Sequence, residues 1–184
     1  MNHHDMTRNM VLAALFAALT AIGAFLQIPT GTVPITLQFL FTALAGLLLG
    51  WKWGAISQLL YVGIGLLGLP VFTQGGGIGY VLQPSFGFLL GLIPAAAVIG
   101  ALTARRTGYL TVLAAVLVGD LILYAVGVPY MYLILHVYMQ SAKTFPALLA
   151  AMLVYVPGDT LKIVVVTALA SVLRRTLAKA VPNL

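Results

Sequence analysis

Asp159 and Lys162, in Pro157-Gly158-Asp159-Thr160-Leu161-Lys162, place an acid and a base inside an apolar run from Phe145 to Leu173. Charge in hydrocarbon is costly, so an ionisable residue there usually faces a cavity or partner and often marks a substrate path. A spacing of three puts both side chains on one helix face. They can neutralise each other or meet one polar ligand together. Asp120, in Gly119-Asp120-Leu121, is a second acid in an apolar segment and must be paired, hydrogen-bonded or protonated. Spacing leaves open whether Lys162 meets a ligand, Asp159 or Asp120. Gln38 and Gln83 are weaker polar intrusions, since a glutamine can simply bond to a neighbouring helix.

The elements that carry these residues belong to lipid. Of 184 residues, 62% are hydrophobic and 7% charged, with mean hydropathy +1.11; soluble domains carry roughly 25% charged residues. Apolar runs of about 20 residues per crossing predict an all-α, polytopic membrane protein, one domain over residues 1–184, with six spans near 9–27, 35–50, 54–70, 85–103, 108–127 and 145–173. Spans two and three are short and joined by Gly50-Trp51-Lys52-Trp53-Gly54, a tight hairpin with two interfacial tryptophans. The last run exceeds a bilayer's thickness, and Pro157-Gly158 is its expected kink. The first run lacks a small-residue cleavage motif and reads as a span, not a signal peptide.

Six spans put Arg8, Lys52, Arg105, Arg106, Arg174, Arg175 and Lys179 on one side, with Lys143 opposite. The positive-inside rule then predicts both termini in the cytoplasm. It also explains the net charge of +6 without nucleic acid. Three loops fall outside: Gln27–Pro34, Leu69–Tyr80 with Gly75, Gly76 and Gly77, and Val128–Thr144. Loops on a rigid scaffold often carry binding groups, and glycine allows close backbone approach; turns use glycine as well. In the first span Ala13, Ala17 and Ala21 repeat every four residues, as do Ala14 and Ala18. Such small-xxx-small faces serve either internal packing or a partner helix.

Enzyme chemistry finds little support. No cysteine is present, which excludes thiolate metal sites and cysteine nucleophiles. His3, His4 and His136 lack the HExxH spacing, Ser85 is not within GxSxG, and no P-loop occurs. No metal, cofactor or catalytic residue is expected.

Taken together, several segments resemble one family across essentially the whole chain. They are Val33-Pro34-Ile35-Thr36-Leu37-Gln38, Gly65-Leu66-Leu67-Gly68-Leu69-Pro70-Val71-Phe72, the glycine loop leading to Pro84-Ser85-Phe86-Gly87, and Pro157-Gly158-Asp159-Thr160-Leu161-Lys162. This set resembles the BioY biotin-uptake proteins, substrate-binding S components of energy-coupling factor (ECF) transporters. Ser85 departs mildly, threonine being frequent there, and Asp120 stands where the family commonly has asparagine. The resemblance implies a bacterial cytoplasmic-membrane protein with biotin near its outer face, covered by the loops after spans one and three. It implies Asp159 and Lys162 as ligand contacts, the alanines of span one as the docking face for a transmembrane coupling subunit, and two separate cytoplasmic ATPase subunits. Biotin's ureido N–H groups suit Asp159, and its ureido carbonyl or carboxylate suits Lys162. Phe72, Tyr80 and Tyr124 are candidates to wall its apolar body. An S component for another vitamin, a scaffold whose Asp/Lys pair locks helices, and a proton-coupled carrier are the competing readings.

Overall fold

The computed structural model describes residues 3–30, 33–105 and 108–180. Gly31, Thr32 and Arg106, and the side chains of Arg174, Arg175 and Lys179, lie outside the described residues. The chain runs through α1 (His3–Phe25), a hairpin of β1 (Gln27–Ile28) and β2 (Ile35–Thr36), and a helical stretch Gln38–Leu66. A 3₁₀ turn (Ile78–Leu82) leads into α4 (Phe86–Leu102). Then come α5 (Tyr109–Leu133) with a π turn (Ile134–Tyr138), α6 (Phe145–Ala151), a 3₁₀ turn (Met152–Val154) and α7 (Val156–Ala180).

The stretch Gln38–Leu66 is two helices, α2 (38–49) and α3 (51–66). Gly50 has φ 77° and ψ 178°, a conformation open essentially only to glycine. A straight helix would hold residues sixteen apart about 24 Å from each other, yet the Thr42 hydroxyl donates to Gln58 Oε1 at 2.9 Å. The chain therefore reverses at Gly50, as the Gly-Trp-Lys-Trp-Gly motif predicts. The expected six passes are thus α1 to α5 and the bent pair α6/α7. Segments Asp5–Phe25 and Tyr109–Tyr138 have the length and hydropathy of a span, as does the pair Phe145–Val154 and Val156–Ala170, bent by 54°, and Gln38–Leu66 is as apolar but divided between two shorter helices. Leu110, Leu121 and Leu161 are 76%, 67% and 65% exposed, far more apolar surface than a protein in water tolerates. This is a multi-pass membrane protein.

Three boundaries differ from the sequence reading. The first loop folds back as a two-residue ladder pairing Gln27 with Thr36 and Ile28 with Ile35, too short to leave a period-two pattern. Helix α5 runs past Pro129 to Leu133, because buried Val128 and Met131 hold it and the Tyr130 hydroxyl donates to the Val81 carbonyl at 2.6 Å. The break in the last span falls at residues 152–155, before Pro157, and Pro157 lies in the first turn of α7. Proline disfavours helix in the residue before it and is tolerated in a first turn, so it starts α7 rather than bending it.

The core is continuous across the bundle, with Phe39, Tyr61, Leu92, Ile99, Val116 and Val166 all buried. At its centre Gln58 of α3, fully buried, bonds to Thr20 of α1 (3.3 Å), Thr42 of α2 and Ser57 (3.0 Å). Lipid-embedded helices gain little hydrophobic drive to associate, and such polar contacts tie them. On α1, Ala13 and Ala17 are buried within the chain while Ala14 and Ala18 are exposed; Ala21 is half-buried. Near the other end of the bundle, a Cβ on Gly100 of α4 would stand 2.3 Å from the Trp51 backbone nitrogen. Gly100→Val should therefore force the α2/α3 turn off α4, an overpacking penalty of about 1–3 kcal/mol or more, read as a lower melting temperature in detergent.

Candidate ligand-binding cavity

The cavity is built where α7 begins. Asp159 falls in the first turn of α7, where the helix dipole favours a carboxylate, and Lys162 follows one turn later. Both are buried, at 6% and 8% exposure, and Lys162 Nζ meets Asp159 Oδ1 at 2.5 Å. The Tyr124 hydroxyl of α5 donates to Asp159 Oδ2. Lys162 also donates to the Thr36 carbonyl of β2 at 3.3 Å. The lysine's partner in this state is therefore Asp159. Asp120 joins neither ion pair found among the described residues, and its buried Oδ1 has no hydrogen-bond partner among them.

Around the pair lies a partly open cavity of about 70 Å³, several times the roughly 10–15 Å³ that one water needs. Asp159, Lys162, Gln38, Tyr80 and Tyr124 all line it. Gln38 is oriented from both ends: its Nε2 donates to the Tyr61 hydroxyl at 2.7 Å and its Oε1 accepts from Thr36 at 2.9 Å. Across the space, Thr73, Tyr80 and Ser85 form a chain of hydroxyls, at 2.9 and 3.4 Å. Phe88, Leu89 and Leu92 supply the apolar wall. The site thus offers a carboxylate, an ammonium and several neutral hydroxyls around an apolar slot, the composition of a small-molecule site.

Phe72 and the three glycines stand behind this wall. Phe72 is fully buried, edge-on to Tyr61 at 5.5 Å between centroids and tilted against Tyr80 at 4.6 Å. Gly75 and Gly77 have φ of 110° and 98°, and a Cβ on Gly76 would stand 2.1 Å from the Leu69 carbonyl oxygen. Gly77 donates to the Gly65 carbonyl at 2.7 Å. These glycines fold the loop onto α3 so that Tyr80 and Thr73 reach the cavity; none lines it.

Sequence reasoning missed Tyr155 and Thr36. The Tyr155 hydroxyl donates to the Val33 carbonyl and lies 2.9 Å from the Thr30 hydroxyl, latching the first loop to the α6/α7 break. Its signal was slight, one polar aromatic just before Pro157 in an apolar run. Thr36 acts through its carbonyl, which no residue type reveals.

Fold and site define a class: a multi-pass helical membrane protein with a cavity of mixed polar and apolar lining, built from helices and two loops. The BioY family model matches residues 1–179. The chain is 54% identical over 141 residues to a probable biotin transporter BioY of Lysinibacillus sphaericus, covering 76% of this chain and 72% of that one. It is 39% identical to the biotin transporter BioY of Rhodobacter capsulatus, with 97% of each covered. It is 35% identical to that of Thermotoga maritima, covering 91% and 96%. A crystal structure of the S-component for biotin from an ECF-type ABC transporter superposes with TM-score 0.83, at 29% identity and 95% coverage of each chain. The chain belongs to the BioY family.

Breaking a buried ion pair strands a charge and costs about 3–5 kcal/mol, whereas replacing both partners is often nearly neutral. Lys162→Met should therefore lower the melting temperature more than the double replacement Asp159→Asn with Lys162→Met. Additive losses in thermal unfolding would contradict the coupling.

Proposed function

We propose that this chain is the biotin-binding S component of an ECF-type transporter, capturing biotin outside the bacterial cytoplasmic membrane for ATP-driven uptake. The observation that carries it is the buried Asp159–Lys162 pair, bonded by Tyr124 and lining a cavity, in a chain of the BioY family. Biotin's ureido ring offers N–H donors beside a carbonyl. Asp159 accepts the former on lone pairs left by Tyr124 and Lys162, and Lys162 donates to the latter. The apolar bicycle lies against Phe88, Leu89 and Leu92. Gln38 and the Thr73–Tyr80–Ser85 hydroxyls supply neutral bonds, while Phe72 and Gly75–Gly77 shape the covering loop from behind. Lys52 and Arg105 lie at the bundle end opposite the two covering loops, so the positive-inside rule orients those loops outward, with both termini in the cytoplasm.

Uptake needs partners: a transmembrane coupling subunit and two cytoplasmic ATPases, since this chain has no P-loop of its own. The docking face is α1. Ala14, Ala18 and half-buried Ala21 line an open groove beside Ile22 and Leu60, with Ala17 at its buried side, whereas Ala13 packs inside the chain. A small-residue face of this kind lets a partner helix approach closely.

Biotin should raise the melting temperature of the purified protein. Stabilisation by another vitamin instead would transfer the site to that ligand, and none by any would leave the scaffold reading. Asp159→Asn should remain folded and bind biotin at least about 100-fold more weakly, the loss of charge-assisted bonds worth about 3 kcal/mol. In the membrane, Trp at Ala14 and Ala18 should abolish co-purification with the coupling subunit while sparing biotin binding. Trp at Ala13 should instead lower folded yield.

A further inference from the structure

The proposed ligand has two polar ends, and the Asp159–Lys162 cluster accounts for one. Lys162 is neutralised by Asp159 at 2.5 Å and further engaged by the Thr36 carbonyl. The other polar side chains lining the cavity, Thr36, Gln38, Thr73, Tyr80, Ser85, Tyr124 and Tyr155, are neutral. An anionic carboxylate placed wholly inside would therefore meet no uncompensated cation, a costly arrangement away from water.

A second cleft adjoins the first. Met152 and Tyr155 line both spaces, and Thr30, Leu148 and Lys143 are among the other residues lining the second. Lys143 is exposed and forms no ion pair among the described residues. Its backbone nitrogen is fixed to the Ser141 hydroxyl at 3.4 Å, just before α6 begins. At the partition the Thr30 and Tyr155 hydroxyls lie 2.9 Å apart and both donate to the Val33 carbonyl.

Resting on the biotin reading, we propose that Lys143 is the carboxylate subsite. The ureido ring lies at Asp159 and Lys162, and the flexible aliphatic tail passes Met152 and Tyr155 so that its carboxylate meets the Lys143 ammonium at the mouth. Lys143 thus selects anionic over neutral ligands of the same shape. The positive-inside pattern leaves this lysine on the outer side, and the subsite gives it a use there.

Equilibrium binding of biotin and of its uncharged carboxamide, to wild type and to Lys143→Gln, tests this. Wild type should prefer biotin about fivefold, the scale of a partly exposed pair, and the preference should shrink as salt rises. Lys143→Gln should bind both ligands equally, with carboxamide affinity unchanged, and Lys143→Arg should restore the preference. A preference that survives Lys143→Gln overturns the subsite, and so does an equal loss for both ligands. Biotin binding that Asp159→Asn abolishes but Lys143→Gln ignores keeps the proposed function and removes only this inference. Failure of both ligands to bind wild type overturns the two together.

Discussion

The ion pair between Asp159 and Lys162 is the constraint around which the rest is arranged. Two charges in a lipid-embedded bundle are tolerable only if each is nearly fully satisfied, and each satisfying group comes from a different part of the chain. The dipole of α7 supports the carboxylate at its N-terminus. Tyr124 brings a hydroxyl from α5, and the Thr36 carbonyl comes from the β hairpin. The break at residues 152–155 is what lets α7 begin at that depth, so a helix start replaces what would otherwise be mid-span backbone. Binding chemistry and architecture are thus one problem.

The remaining scaffold holds that arrangement steady. Gln58 joins α1, α2 and α3 through Thr20, Thr42 and Ser57, and one turn above Thr42 is Gln38, which faces the cavity. Thr20 and Thr42 also bond to carbonyls of their own helices, at 2.8 and 2.9 Å, so the glutamine amide is the group that requires the assembly. Tyr61 and Phe72 carry the same rigidity to the covering loop, with the Tyr61 hydroxyl donating to the Val71 carbonyl at 3.1 Å. Tyr155 ties the first loop to the α6/α7 break through Val33 and Thr30.

Much of this was legible before any coordinates. The helices follow from hydropathy, the reversal at Gly50 from its Gly-Trp-Lys-Trp-Gly setting, and the i, i+3 pair from spacing on a single helix. All are local properties, written within a few turns of chain. Ala13 against Ala14 was not legible, because two alanine registers one residue apart are equivalent until the rotation of α1 about its axis is known. Nor was the place of Phe72, since an aromatic beside a glycine loop reads the same whether it faces the cavity or backs its wall. Pro157 marked the last span's discontinuity, but the break lies before it, where the chain must leave helix for Pro157 to open the next one.

The sequence by itself determined that this is a six-pass membrane protein with one buried acid–base pair, because bilayer thickness and helix period act on neighbouring residues. Tertiary structure decided whom Lys162 meets, which alanines line the open groove on α1, and that Lys143 lines the cleft adjoining the cavity. Those outcomes depend on residues far apart in the chain, Thr36 with Lys162 and Thr30 with Tyr155, and only packing of the helices brings such pairs within bonding distance.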